Sequence, residues 1–298
     1  MKLTRICDIS PWRQPLSCRS GDFSPVLLKR LVSSKQWQSR QRNDIFTREA
    51  AVQGLKSRAA FKLLQIDEKY RIFRSGQTVV DLGYAPGSWS QVAVSRTQPN
   101  GRVLGVDIIP AQPPKGVSTI QGNFLSPEIQ HYVREFLRDP ARGRPRVSTS
   151  FASERHFPSS AVQDPKYLDE AEVHRPYTEN ENATVCDKES EETVDVVLSD
   201  MMMNTSGVSF RDHVGSMDLC RAALRFSFNV LKTGGHFVCK FYQGPEDKAF
   251  EKQLRELFEK VHRLKPESSR SESREAYFVA IARKMKVPRS AVFENEEA

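Results

Sequence analysis

Short apolar runs alternate with amphipathic segments along most of the chain. Strands are predicted from the apolar runs at 78–83, 102–108, 118–124, 194–200, 235–242, 261–265 and 276–283. Apolar positions at helical spacing predict helices over 57–69, 88–96, 213–231 and 246–260. Strands that alternate with helices are typical of an α/β fold, with a mostly parallel sheet and helices on both faces.

Two of these helices carry signals at their ends. Ser57 is the expected N-cap of the helix over 57–69. We expect the helix over 213–231 to stop at Thr233-Gly-Gly and to bury one apolar stripe. That stripe comprises Met217, Cys220, Leu224, Phe228 and Leu231.

The alternation fails between residues 127 and 193, where prolines punctuate a polar stretch. We predict a helix at most over 127–138, followed by a largely disordered insertion over 139–193. The remaining segments predict a single domain over 44–283. Residues 284–298 are expected to form a polar, frayed tail.

Charge adds a second kind of information. The chain has 45 basic and 37 acidic residues, a net charge of +8, which favours a polyanionic partner or a basic leader. Residues 1–43 contain nine Lys or Arg and two Asp, with many serines. This composition predicts a mitochondrial transit peptide, and the alternative is a basic arm that touches RNA. The sequence has no apolar run long enough for a transmembrane helix.

The five cysteines are scattered and include no C-x-x-C pair. This pattern argues against a zinc ribbon and against a disulfide scaffold, and we expect no metal. Cys220 and Cys239 fall in apolar segments and are predicted to be small buried side chains.

A possible ligand site follows the first predicted strand. The segment Asp81-Leu-Gly83-Tyr-Ala-Pro-Gly87 turns into a helix that carries Trp89, a possible aromatic wall, and Asp107 ends the second strand. A carboxylate there can accept ribose hydroxyls. The spacing lacks the G-x-G-x-x-G of dinucleotide sites. A nucleoside without phosphate, such as S-adenosylmethionine, fits better, and an ordinary strand–turn–helix corner is the alternative.

Four charged residues stand at strand ends or nearby: Lys62, Asp200, Lys240 and Glu275. Each could be an ordinary solvated charge. Lys240 is the exception, because it interrupts an apolar strand and therefore requires compensating partners.

Several segments in order along the chain carry a family resemblance. They are Ser57-Arg-Ala-Ala-Phe-Lys-Leu63, the glycine loop with Trp89-Ser-Gln91, Leu198-Ser-Asp-Met201, Asn204-x-Ser-Gly207, Phe237-Val-Cys-Lys240, Lys265-Pro-x-x-Ser-Arg270 and Ser273-Arg-Glu-x-Tyr277. This set resembles the FtsJ/RrmJ family of RNA ribose 2′-O-methyltransferases over about residues 50–283. The family implies a seven-stranded, Rossmann-like methyltransferase fold and S-adenosylmethionine as the cofactor.

The resemblance also implies roles for individual residues. Its Lys-Asp-Lys-Glu tetrad falls on the four charged residues above, with Lys240 as base or alkoxide stabiliser. Cofactor contacts are implied for Gly83, Pro86, Gly87, Trp89, Asp107, Asn123 and Asp200. RNA contacts are implied for Lys56, Arg58, Arg270 and Arg274. The chain departs from the family at Asn123, where an acid is common, and at Met201-Met-Met203, where Met-Ala-Pro is common.

Within the family, the leader and the segment 204–213 are most similar to fungal mitochondrial members that act on large-subunit rRNA. The resemblance therefore implies 2′-O-methylation of a uridine in that rRNA, free or in a pre-ribosomal particle, by a monomer in the mitochondrial matrix. Two alternatives remain open. One is another RNA substrate, such as tRNA, and the other is a non-catalytic factor in ribosome assembly.

Overall fold

The structure of the protein is a computed structural model that describes residues 44–145 and 192–293. The strands within these residues are β1 (Thr78–Leu82), β2 (Arg102–Asp107), β3 (Val117–Gln121), β4 (Val194–Ser199), β5 (Leu231–Tyr242), β6 (Phe258–Leu264) and β7 (Glu275–Arg283). The helices are α1 (Ile45–Val52), α2 (Ala59–Tyr70), α3 (Ser88–Thr97), α4 (Pro127–Arg138), α5 (Ser209–Val230), α6 (Asp247–Leu257) and α7 (Arg289–Val292).

The strands form one sheet in the order β3-β2-β1-β4-β5-β7-β6. All neighbours are parallel except β7, which runs antiparallel to both β5 and β6. The predicted mostly parallel, seven-stranded α/β fold is confirmed. In the described residues, no helix is long and apolar enough to cross a membrane. The predictions for residues 1–43, 146–191 and 294–298 lie outside the described residues.

The core has two layers because successive strand residues point to opposite faces. Val79 packs in a cluster with Leu63 and Trp89 from α2 and α3. Its neighbour Val80 packs in the other cluster, with Met217 from α5. Strand β1 is buried along its whole length, as expected for a central parallel strand covered on both faces.

The order of the strands reverses between β1 and β4. In open parallel sheets, ligands bind at the carboxyl ends of the strands next to such a reversal. Gly83, Asp107 and Asp200 lie at these ends, directly after or at the end of their strands. The fold therefore collects most of the predicted site residues at one edge, which we call the ligand edge of the sheet.

The end of α5 differs from the prediction. The helix stops at Val230, and Leu231 begins β5 instead of closing the helical stripe. Leu231 pairs with Val194, but His236 pairs with Val196, so β5 has three more residues than β4 between these pairs. Thr233-Gly-Gly occupies this bulge, where Gly234 has φ of 80°. The glycines thus accommodate a bulge in the strand and do not terminate the helix.

The predicted N-cap of α2 is also off by one residue. Arg58 precedes the helix and makes no capping bond through its side chain. The hydroxyl of Ser57 accepts the Ala59 N–H at 3.2 Å and lies 2.7 Å from the Ser88 hydroxyl. Ser57 therefore joins the starts of α2 and α3.

Two segments expected to be disordered pack against the domain. Arg102 donates to the carbonyl of Asp139 at 2.6 Å, and Arg144 donates to the carbonyl of Gly76 at 3.1 Å. At the other end of the chain, Phe293 is buried and stacks edge-on against Phe228, with ring centroids 5.6 Å apart. The predictions of disorder from residue 139 and of a frayed tail are therefore wrong for residues 139–145 and 284–293.

The Phe293→Ala substitution tests whether the tail belongs to the core. We expect the free energy of unfolding to fall by about 3 kcal/mol, as for other buried aromatic side chains. The matched control is Met285→Ala, because Met285 is 69% exposed in the same segment. Equal urea unfolding curves for the two variants would contradict the packing described.

Candidate active site

The loop after β1 approaches its neighbours so closely that two positions require glycine. Gly83 has φ of 77°, and a Cβ there would lie 2.8 Å from the Met201 Cα. Gly87 has φ of 105°, and its Cβ would lie 2.8 Å from the Pro114 Cδ. The two glycines and Pro86 between them thus form a tightly packed loop at the ligand edge, which we call the glycine cradle.

The predicted acid at the end of β2 holds this cradle in place. The Asp107 Oδ2 accepts the N–H of Ala85 at 2.9 Å, and its Oδ1 accepts the N–H of Ile109 at 2.8 Å. Each carboxylate oxygen has a further lone pair, so Asp107 can still accept a ligand hydroxyl. At the end of β3, the Asn123 Oδ1 accepts the N–H of Leu125 at 3.1 Å, so this exposed amide first stabilises its own turn.

Trp89 does not form the expected aromatic wall. Its side chain is only 2% exposed, and its indole N–H donates to the carbonyl of Ala59 at 2.9 Å. The ring lies against Tyr277, with centroids 5.6 Å apart. The indole therefore lies in the core next to the site, and the implied cofactor contact of Trp89 stays a prediction.

Asp81, in β1 just before the glycine loop, is a candidate site residue that the sequence-based set omits. It is fully buried, its Oδ2 accepts the Ser90 hydroxyl at 2.6 Å, and its Oδ1 has no partner among the described residues. Burial raises the pKa of Asp81 to about 7, against the hydrogen bond from Ser90, and the charges of Asp200 and Asp107 add to the increase. An unpartnered carboxylate oxygen beneath the cradle is suited to a polar ligand group.

Lys240 and Asp200 form the first charged pair of the site. The Lys240 side chain is only 8% exposed, and its Nζ lies 3.0 Å from the Asp200 Oδ1. The same ammonium donates to the Asp200 carbonyl at 2.7 Å. Behind it, the predicted buried thiols are confirmed, and the Cys220 thiol donates to the Lys240 carbonyl at 3.1 Å. The pairing explains how a lysine is tolerated in this apolar strand.

Lys62 and Glu275 form the second pair, with 2.6 Å between Nζ and Oε1. Burial by itself would raise the pKa of Glu275. The charge and hydrogen bond of Lys62 and the charge of Lys240 together hold the pKa below its usual value. Glu275 is therefore an anion held between two lysines.

Tyr277 joins the two pairs and is also missing from the predicted set. Its hydroxyl donates to the Asp200 Oδ1 at 3.4 Å, and the Lys62 Nζ lies 5.8 Å from its ring centroid. Burial, with the charges of Asp200 and Glu275, raises the pKa of this phenol well above its usual value. The signal that could have found it is the spacing Glu275-x-Tyr277, since residues two apart in a strand share a face.

The four residues predicted to contact RNA divide into two groups. Arg58 is only 16% exposed, because it pairs with Asp44 and donates to the Ser268 carbonyl. Burial and the nearby Arg270 lower its pKa. Arg270 lies 3.4 Å from the same Asp44 carboxylate. The structure thus gives Arg58 and Arg270 a role in tying the start of α1 to the loop before β7.

Lys56 and Arg274 are exposed and remain candidates for phosphate contacts. Lys56 donates to the carbonyl of Gln112, and its Cδ would lie 3.6 Å from a Cβ on Gly87. It therefore borders the glycine cradle. Arg274 donates to the carbonyl of Gln243 at 3.2 Å, which ties the segment before β7 to the end of β5. In the two described ranges, no group of three His, Cys, Asp or Glu side chains could hold a metal ion.

Comparisons with known proteins agree with this geometry. A profile of the FtsJ-like methyltransferase family matches residues 55–283, and the chain belongs to that family. A solved structure described as a ribosomal RNA methyltransferase of Plasmodium falciparum has the same fold. It has a TM-score of 0.54 at 23% identity and covers 76% of this chain and 98% of that one.

Curated relatives match over most of their length. The "rRNA methyltransferase 2, mitochondrial" of Saccharomyces cerevisiae is 40% identical, over 88% of this chain and 92% of that protein. The protein of the same name in Schizosaccharomyces pombe is 34% identical, over 83% and 95%. The "Ribosomal RNA large subunit methyltransferase E" of an Azoarcus species is 35% identical, over 85% and 98%.

The Gly83→Ala substitution tests the close approach of the loops after β1 and β4. We expect a loss of about 2–5 kcal/mol in the free energy of unfolding, from the positive φ and from the contact with the Met201 backbone. Gly76→Ala is the matched control, because its φ is 80° but nothing lies within 4 Å. It should lose only about 1–2 kcal/mol. Equal losses in urea unfolding would show that the close approach carries no cost.

The Lys62→Met substitution tests the electrostatic balance at Glu275. We expect the pKa of Glu275 to rise, because burial remains while the main opposing charge is gone. In the unmodified protein the lowered pKa stabilises the fold at neutral pH, and this contribution is lost on acidification. Carboxyl NMR titration of Glu275 measures the shift. Lys69→Met, an exposed lysine on the same helix, should leave the titration unchanged.

Proposed function

We propose that the protein transfers a methyl group from S-adenosylmethionine to the ribose 2′-hydroxyl of a uridine in mitochondrial large-subunit rRNA. The observation that carries this proposal is the pair of lysine–carboxylate contacts, Lys240–Asp200 and Lys62–Glu275, beside the glycine cradle. We expect the reaction to support assembly of the mitochondrial ribosome.

The cradle suits the proposed cofactor. Gly83 and Gly87 allow the loop after β1 to pack tightly against Met201 and Pro114, and the Asp81 Oδ1 is a buried oxygen without a partner in the described residues. Asp107 retains lone pairs for a ribose. S-adenosylmethionine supplies a methyl group already activated by the positive sulfonium. The chain therefore has to orient the acceptor hydroxyl and handle its proton.

Lys240 is the residue best suited to that task. Its ammonium group has three N–H bonds, and the carboxylate and the carbonyl of Asp200 accept two of them. One N–H remains for the ribose oxygen. As an ammonium, Lys240 would stabilise the negative charge that develops on this oxygen. Only as the neutral amine could it instead accept the hydroxyl proton, so the two roles belong to different protonation states of the same residue. Lys62, Glu275 and Tyr277 hold the Asp200–Lys240 pair in position.

The substrate and the compartment rest on the relatives. Two yeast proteins of similar sequence carry mitochondrial rRNA methyltransferase names, and a bacterial one carries a large-subunit rRNA name. The basic, acid-poor segment 1–43 supports import into the matrix as a further part of the proposal. The exposed Lys56 and Arg274 are the expected phosphate contacts, which position RNA without reading its sequence.

The Lys240→Ala substitution tests the catalytic assignment. We expect methyl transfer to mitochondrial large-subunit rRNA or its precursor particles to fall by about a hundredfold to ten-thousandfold, as for other proton-handling groups. Binding of S-adenosylmethionine should persist. Lys232→Ala is the matched control, because Lys232 lies on the same strand and pairs with Asp195 at the other end of β5.

The methylated nucleotide is mapped by the resistance of 2′-O-methylated sites to alkaline cleavage. Full turnover by Lys240→Ala would refute the role of that lysine. Modification of tRNA instead of rRNA would refute the substrate. Cofactor binding without transfer to any of these RNAs would favour a non-catalytic assembly factor.

A further inference from the structure

The register of β5 and β7 places Tyr242 on the sheet face that carries Lys240, Glu275 and Tyr277. Lys240 pairs with Tyr277, and two residues further on Tyr242 pairs with Glu275. Directly opposed residues of antiparallel strands share a face, as do residues two apart in one strand. Tyr242 therefore lies on the same face as Lys240 and Glu275, one step nearer the ligand edge.

The backbone of Tyr242 is held rigidly. Its N–H donates to the Ser216 hydroxyl oxygen at 2.8 Å, and its carbonyl lies 2.6 Å from the His213 Nδ1. The His213 Nε2 accepts the N–H of Glu246 at 3.1 Å, which assigns the proton of this buried ring to Nδ1. Gly244 packs against the same ring, where a Cβ would come within 2.3 Å. These contacts fix the backbone of Tyr242, and therefore the direction in which its side chain projects from β5.

The phenol itself has a weak partner. Its hydroxyl lies 3.7 Å from the sulfur of Met202, and a thioether is a poor hydrogen-bond acceptor. Burial raises the pKa of Tyr242, against the charge of Lys240, and the charges of Glu275, Asp212 and Asp200 add to the increase. The group is therefore a neutral donor within electrostatic range of the tetrad, with its capacity to donate largely unused.

Met202 forms the other half of this partly exposed surface beside Tyr242. It is 60% exposed although it is only two residues after Asp200. A thioether and an aromatic ring side by side form an adaptable apolar surface of the kind that nucleobases stack on. Such a pair next to a catalytic lysine has no evident structural purpose, since both side chains remain partly in solvent.

We propose that Tyr242 and Met202 contact the target nucleotide, the ring and thioether against its base and the phenol donating a hydrogen bond to the RNA. This inference rests on the proposed function and adds the residues that seat the acceptor. The pair sets how well the 2′-hydroxyl is presented to Lys240, and it takes no part in handling the proton.

Steady-state methylation of the rRNA substrate tests the proposal with Tyr242→Phe, which removes only the hydroxyl. We expect KM for RNA to rise about threefold to tenfold, as for loss of one hydrogen bond, with kcat within about twofold. Tyr242→Ala and Met202→Ala remove stacking surface, and Tyr242→Ala should raise KM about tenfold or more. Tyr132→Phe, an exposed tyrosine on α4, is the matched control.

Two further readouts separate contact with RNA from a structural effect. The affinity for S-adenosylmethionine and the Tm of Tyr242→Phe should equal those of the unmodified protein. If the two side chains form one surface, the effects of Tyr242→Phe and Met202→Ala on KM should not be independent in a double-mutant cycle.

Each failure has its own meaning. If the unmodified protein methylates the rRNA and Tyr242→Phe has the same KM, the inference is overturned and the proposed function stands. A fall in cofactor affinity or Tm that matches the rise in KM would also overturn it. If the unmodified protein methylates no rRNA, the proposed function fails, and the inference fails with it. Should Tyr242→Ala not fold, the phenylalanine variant decides.

Discussion

The ammonium of Lys240 is the group around which this part of the molecule is built. A buried charge is tolerated only when oxygens replace the lost water, and Asp200 provides both a carboxylate and a carbonyl. Asp200 is itself held by a bond from its N–H to the Leu82 carbonyl at 3.1 Å, and by the Tyr277 hydroxyl. Four strands must therefore pair in register before the lysine becomes acceptable, so the stability of the sheet and the chemistry of the site depend on each other.

Most of the fold could be predicted from the sequence, because strands that are covered on both faces appear in it as uninterrupted apolar runs. The prediction of β1 accordingly differs from the observed strand by a single residue, Gly83. The errors arose where one sequence signal has two structural uses. Thr233-Gly-Gly is equally suited to ending a helix and to a bulge, and only the pairing of β5 with β4 decides between them. The tail is polar in composition, so the burial of Phe293 is not evident from the sequence. It becomes evident only in the structure, where Phe228 of α5 packs against it.

The charged residues of the site could be predicted from the sequence, but the residues that surround them could not be predicted as well. The family resemblance assigned the four tetrad residues, yet their pairing depends on distances between elements that no motif states. Tyr242 was missed because the antiparallel register that pairs it with Glu275 cannot be read from either strand alone. Tyr277 was missed although its spacing from Glu275 within one strand indicates the shared face. Trp89 and Arg58 are less accessible than their sequence motifs suggest, for a different reason. Their polar N–H groups donate to backbone carbonyls within the protein. A sequence shows that such groups are present but not which hydrogen-bond partners they have.

The attachment points of the segment between α4 and β4 have one further consequence. Residues 139–145 are fastened near Gly76, just before β1, and residue 192 resumes just before β4. Both points lie at the amino ends of parallel strands, on the side of the sheet opposite the tetrad. A difference in length between these two points therefore enters the fold at the sheet edge opposite the tetrad, outside the strand register that forms the site. The domain has a permissive entry point for new sequence, and through it new binding properties could be acquired independently of the chemistry.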